Sequence, residues 1–236
     1  MKNNFLILAF VTLSVFSSCS QDQGGEQRYS CSNLVDSWVK ANMDDIRGMD
    51  RDSWENLPVQ VSVAAYRAFT PNQKILFWQQ KFKEVKKLPW NKQELQHIEK
   101  AENFLNANKN LFYSEKASNT DLDKIDTFFY LWQKYAEEVL KWDEAVIYSI
   151  VVSGYSVIDT KGTLKIKNQL VLNGGGSSSG GNNHSSGGGL ECNCKKDHVL
   201  ACAPAGPYCE ESDCVETNRG CGWFFVADCN GRCGGL

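Results

Sequence analysis

The sequence predicts a mainly α protein: a helical N-terminal domain, a flexible Gly/Ser linker and a small disulfide-rich C-terminal module of mostly β and loop character. Three observations predict it. Between residues 31 and 172, apolar side chains recur at three- and four-residue spacing behind recognisable helix-start signals. Residues 173–189 are seventeen residues of Gly, Ser and Asn with one His. Eight of the ten cysteines then fall between Cys192 and Cys233, the density of a cross-linked framework.

The amino terminus comes first. Met1 and Lys2 give a short positive start, and an uncharged run from Phe5 to Phe16 follows. It is too short to span a bilayer and has the length of the apolar part of a secretory signal, so residues 1–18 are expected to be a signal peptide. Phe16-Ser17-Ser18-Cys19 resembles a bacterial lipobox, with Phe16 where an aliphatic residue is usual. The expectation is therefore lipidation of Cys19, which anchors an exported protein at the outer membrane or cell surface. Without lipidation, the same signal gives a secreted protein. Residues 19–30, polar and carrying Gly24-Gly25, read as a tether.

The helical domain is placed at 31–172. Leu34, Val35, Trp38 and Val39 share one helix face, and Pro58 suits a first turn leading into Val59 to Phe69. Thr70-Pro71-Asn72-Gln73 is a capping box, and Asn91 with Glu94 repeats the signal. These open stripes of Ile75, Trp78, Phe82 and Val85, and of Leu95, Ile98, Ala101 and Leu105. Thr120 with Asp123 is expected to open the longest helix, with Ile125, Phe128, Phe129, Trp132, Tyr135, Ala136 and Val139. About five helices result. Ala145 to Val152 fits either a continuation of the last helix or a strand, and Asp159-Thr160-Lys161-Gly162 marks the turn of a small hairpin over 155–166. Residues 173–189 can bury nothing, so they are expected to act as a coil spanning about 20–25 Å.

The module at 190–236 contains Cys192, Cys194, Cys202, Cys209, Cys214, Cys221, Cys229 and Cys233. So short a segment cannot offset its chain entropy without cross-links. Each disulfide contributes about 2–4 kcal/mol, and eight cysteines allow 105 pairings among which sequence does not choose. Cys192, Cys194, His198 and Cys202 have the ligand types for zinc. However, the C-x-C spacing is tighter than zinc sites use and an oxidising compartment favours disulfides, so no metal is assigned. The module is expected to need its disulfides, the helical domain to fold without them. With Cys19 lipidated, Cys31 is expected as a free thiol or an intermolecular bridge. Trp223-Phe224-Phe225, inside a predicted strand between Cys221 and Cys229, forms a candidate contact surface, with Phe224 packed and Trp223 and Phe225 exposed; the alternative is that these aromatics are simply the module's own mini-core.

Charge and motifs exclude several classes. The net charge of −3 resides in the tail, which has four basic and seven acidic residues between Leu190 and Leu236, so nothing points to nucleic acid. The helical domain has one histidine, His97, and no metal-binding His pair, nucleophile elbow or phosphate loop. Ser153-Gly154-Tyr155-Ser156 lacks the frame of a serine nucleophile. The aromatic series reads as core. No catalytic residue and no cofactor is assigned, and an enzyme is not expected.

The tail carries a specific likeness. Cys192-Asn193-Cys194, Tyr208-Cys209, Gly220-Cys221-Gly222-Trp223-Phe224 and Cys229-Asn230-Gly231 occur in the order in which they recur in the bacteriocin fulvocin C-related family, which the tail resembles. The helical region, with Tyr66-Arg67 and the Trp78 helix, is similar to the amino-terminal part of exported proteins of that family. Cys229 and Cys233 are separated by three residues where the family's last pair is closer, and loop lengths differ. The resemblance implies an exported antibacterial protein with a disulfide-rich effector tail, a helical carrier or pro-region, and a bacterial target cell or surface receptor as partner. The alternative is a cell-surface lipoprotein whose disulfide-rich module binds or adheres. The acidic tail suits receptor recognition better than cationic attack on anionic membranes.

Overall fold

A computed structural model describes residues 27–114, 117–166, 192–196, 198, 200 and 209–233. The expected signal peptide, Cys19, most of the tether, the 173–189 linker and Cys202 lie outside the described residues.

The N-terminal part is helical, as expected, with eight α-helices among the described residues rather than about five. They are α1 (Asn33–Ala41), α2 (Met43–Gly48), α3 (Arg51–Trp54), α4 (Val59–Ala68), α5 (Pro71–Val85), α6 (Lys92–Ala107), α7 (Asn119–Glu138) and α8 (Glu144–Val151). The extra ones are short: α2 follows α1 directly across Asn42, and α3 is a separate turn capped by Asp50, whose carboxylate accepts from Ser53 N at 2.8 Å. Both predicted capping boxes form, Thr70 with Gln73 and Asn91 with Glu94, because their partners lie within four residues. Pro58 is the cap residue of α4, just outside its first turn.

The longest helix begins two residues earlier than expected. Ser118, not Thr120, caps it, its hydroxyl accepting from Asp121 N at 3.1 Å. Helix α7 ends where Lys141 turns left-handed (φ 60) and Trp142 N reaches back to Ala136 O at 3.0 Å. Asp143 then caps a new helix, so Ala145 to Val152 is neither a strand nor an extension of α7. The 155–166 segment forms a turn with one antiparallel bridge, Val157 to Leu164. The Asp159 carboxylate accepts from the backbone N–H groups of Lys161 and Thr163 at 2.9 and 3.1 Å.

The predicted stripes converge on one core. Ile75, Trp78, Phe82 and Val85 of α5, Ile98, Ala101 and Leu105 of α6, and Ile125, Phe129, Trp132 and Ala136 of α7 are all buried. Val139 faces solvent instead, since α7 ends before its next core-facing turn. The C-terminal region holds two small antiparallel ribbons: β1 (Cys209–Glu210) with β4 (Arg232–Cys233), and β2 (Thr217–Cys221) with β3 (Ala227–Cys229). Disulfides join Cys192 to Cys214, Cys194 to Cys209 and Cys221 to Cys229. The sulfurs of Cys192 and Cys194 are thus committed to cystine rather than to a zinc ion. Cys233 is also disulfide-bonded, and so is Cys31 within this one chain, which corrects the expectation that Cys31 is a free thiol or an intermolecular bridge.

Candidate functional site

Among its described residues the tail possesses little interior of its own beyond Cys192, Cys221 and Cys229, with Cys214 packed on them. Its larger described apolar side chains go elsewhere. Leu200, Trp223, Phe224 and Val226 belong to the same continuous core as the helices. The seam between tail and helices is therefore the most elaborated feature of the molecule.

It is built from a tight loop. The Cys221–Cys229 disulfide joins cysteines at a sequence separation of 8, and the chain between them must reverse within that span. It does so with φ values of 68, 54 and 57° at Gly222, Phe224 and Phe225, so residues 223–225 form a tight turn with the i to i+3 hydrogen bonds of a 3-10 segment (Phe225 N to Gly222 O at 3.2 Å, Val226 N to Trp223 O at 3.1 Å) but a left-handed backbone at Phe224 and Phe225. The expected strand is absent here. Propensity favours extended aromatics, but loop closure and burial against the helices outweigh a left-handed cost of about 1–2 kcal/mol per residue. The alternation of faces assumed for a strand disappears with it. Phe224 is fully buried, as expected. Trp223 is buried as well and Phe225 half-buried, which corrects the expectation that both are exposed.

Each ring has a named seat. Phe224 lies 5.1 Å from Trp78, 5.9 Å from Phe82 and 5.1 Å from Phe129, centroid to centroid, at steep angles. Trp223 stacks on Phe129 at 4.6 Å and 17°. Phe225 meets Tyr66 at 5.0 Å and Trp78 at 5.4 Å. Such offset and edge-on pairs add about 0.5–1.5 kcal/mol each beyond area burial. Thus the three residues do form a contact surface, and what they contact is the helical part of their own chain.

Polar groups fix the register of the docking. Trp78 Nε1 donates to the Tyr66 hydroxyl at 3.1 Å, which donates in turn to Phe224 O at 3.2 Å. Arg67, buried on α4, donates to Arg219 O at 3.2 Å, Thr217 Oγ1 at 2.8 Å and Tyr29 O at 2.9 Å. Arg219 points the other way and donates to Val226 O at 3.0 Å and to Ser114 O and Oγ. Between them sits Gly220 at φ 98°, where an added Cβ would come within 3.1 Å of Val63 and 3.3 Å of Arg67 Nε. Only glycine allows both that backbone conformation and that approach. Lys74 borders the seam, its amine donating to Arg67 O at 3.2 Å and pushed down to about 8 by burial and by Arg219 and Arg67.

Tyr66-Arg67 and Gly220-Cys221-Gly222-Trp223-Phe224 were legible as separate signals; the structure brings them together. Arg219 and Phe129 as their partners were not legible, because nothing local in the sequence pairs positions so far apart.

Other chemistry-bearing residues are accounted for by packing. Ser156 donates to Glu55 at 2.7 Å and accepts from Arg51 at 2.9 Å; Arg51 also holds Glu84 and, at 2.9 Å, Gly154 O. The Lys81 amine donates to Tyr155 O, and burial, reinforced by Arg51, pulls its pKa well down. This cluster pins the 153–156 segment to α3 and α5. His97 is sandwiched between Trp132 at 4.5 Å and Tyr135 at 4.9 Å, and exchanges hydrogen bonds of 2.9 Å with Trp132 through backbone carbonyls. Its Nδ1 is buried without a partner, and burial pushes its pKa down to about 4.

The disulfides fit an exported protein, and among the described residues no helix is long and apolar enough to cross a membrane. No family model, curated protein or solved structure matches the chain.

Proposed function

We propose that this is an exported, non-catalytic, bacteriocin-like protein, lipid-anchored through Cys19, whose helical domain is the carrier that keeps its disulfide-rich effector tail latent. The observation that carries this reading is the burial of Trp223 and Phe224 among Trp78, Phe82 and Phe129. An aromatic loop that acts on another cell must leave such a seat, so a chain that sheaths it has a silent form and an active form. The family resemblance of the tail supports the same direction. So does the pairing of Tyr66-Arg67 with the tail, since those helical residues belong to that resemblance and hold the loop.

The test compares the oxidised full chain with the same chain cut at a protease site engineered into residues 173–189, on lawns of other bacteria. Growth inhibition that appears or strengthens on cutting is the expected result. Inhibition by neither form overturns the reading.

A second reading, a surface lipoprotein that binds or adheres, is favoured by the exposure of Glu210, Glu211, Asp213 and Glu216 on one short stretch of the tail. It leaves the aromatic loop as a structural anchor and the acidic face as the recognition surface. Cell binding without killing, lost on neutralising those four carboxylates, separates it from the first.

A further inference from the structure

The carrier reading requires something that releases the loop, and one side of the seam is built around a titratable group. His198 packs its ring 4.4 Å from Trp223 and lies against the backbone of Gly222, where an added Cβ would be 3.6 Å from its Cδ2. On the other side, Trp223 stacks on Phe129 of α7. His198 is therefore the outer member of a run of ring contacts, tilted against Trp223 and then stacked on Phe129, that leads from the tail into the helical core. Leu200, two residues on, is itself buried in that core.

The hydrogen bonding of this ring suits only the neutral form. Its Nδ1 accepts from Leu200 N at 3.3 Å, which places the ring proton on Nε2, and Nε2 is buried with no partner. A second proton would have to sit on Nδ1, facing the Leu200 N–H donor to donor. The resulting charge would be buried beside Lys195. Cation–π attraction to the tilted Trp223 ring offsets part of this, but it replaces neither the lost acceptor nor the lost solvation.

We infer that His198 is an acid-operated latch: its protonation breaks the Leu200 contact, drives the ring off Trp223 and frees the aromatic loop from the helices while the disulfides stay closed. The physiological meaning of release rests on the carrier reading; the undocking itself does not.

Signs follow from the groups at the seam. Burial first, then Lys195, holds His198 down to about 4, so docking is fully supported above the ordinary histidine value of about 6.5 and weakens as pH falls toward 4. From pH 7 to pH 5 the docking equilibrium should drop about 20-fold. On the His198 side of the seam the other charged groups are Lys195 and, on α7, Asp126 with Asp123 beside it, while Arg67, Arg219 and Lys74 lie along the rest of it. The Asp126 carboxyl is raised by burial, against the opposing pull of Lys195 and Trp223. Its protonation favours the docked form, so at low pH it opposes the release.

The experiment is backbone hydrogen exchange across residues 219–229 of the oxidised full chain at pH 7 and pH 5, corrected for intrinsic exchange rates, in the native sequence and in His198→Gln. Protection should fall about 20-fold in the native chain and less than threefold in the variant. No fall in the native chain, or equal falls in both, overturns the latch. Should His198→Gln fail to fold, an NMR titration of the native His198 ring decides: a midpoint well below 6.5 supports the latch, and one at or above 6.5 overturns it. Neither readout uses killing. A silent cut chain with a pH-sensitive seam therefore sinks the carrier reading alone, and an active cut chain with a pH-insensitive seam sinks the latch alone.

Discussion

Replacing Phe224 by Ala removes a ring with no exposed surface that touches α5 at Trp78 and Phe82 and α7 at Phe129. Truncating a fully buried Phe costs about 3–5 kcal/mol, the transfer term plus the cavity left behind. Ala relieves none of the left-handed cost at φ 54°, so nothing offsets the loss. Urea unfolding followed by helical circular dichroism is the assay. With a slope of about 2–3 kcal/mol/M for a chain of this size, the midpoint should fall by about 1–2.5 M. The probe reports helix content while the substitution lies in the cysteine-rich tail, so the shift appears only if the two share a core. Phe224→Gly should be no worse than Phe224→Ala, or better by about 1 kcal/mol, because glycine accepts the left-handed backbone. Tyr130→Ala, on an exposed position of α7, is the control and should move the midpoint by less than about 0.5 kcal/mol. A helix midpoint unchanged in Phe224→Ala would refute the reasoning.

Three further outcomes are expected. Arg67→Ala removes one donor from Tyr29 O and one from Arg219 O inside the seam, and should cost about 3 kcal/mol in the same urea assay, with Arg67→Lys recovering little because an ammonium lacks the planar fork that reaches both carbonyls. His97, held at about 4 by burial, has a folded value below its unfolded one; its contribution is complete above pH 6.5 and lost as pH falls toward 4, about 3 kcal/mol in all. His97→Gln should flatten that part of the stability-versus-pH curve, and an unchanged curve would contradict the burial argument. Cys19→Ala should abolish fatty-acid labelling and release the protein from the membrane fraction, whereas retained labelling would remove the anchor from the proposal.

Local signals in the sequence translated directly into structure. The capping boxes at Thr70 and Asn91, the stripes of α5, α6 and α7, and the turn at Asp159 each depend on neighbours within a few residues, and each formed. The start of α7 was misplaced by two residues because Ser118 and Thr120 both offer a capping hydroxyl, and sequence alone does not rank them. Splitting α7 from α8 required a left-handed Lys141, a conformation its residue type does not announce. The seam shows the larger limit. Trp223-Phe224-Phe225 was recognised as a contact segment, but its partner, its 3-10 geometry and the burial of Trp223 follow from contacts with residues about 95 to 160 positions away. A disulfide-rich segment behind a Gly/Ser run invites the picture of an independent module. Here the cysteines supply the frame and the helices supply most of the interior.

That shared interior is the central claim, and reduction of the disulfides tests it most directly. Hydrogen exchange on the full chain, oxidised and fully reduced at pH 7, reads the amides of α4, α5 and α7 around Tyr66, Trp78 and Phe129. If the tail completes the helical core, freeing it should remove about 3 kcal/mol or more from those helices and lower their protection at least 100-fold. Unchanged protection in α4, α5 and α7, with exchange confined to residues 192–233, would show two independent folding units and contradict the account.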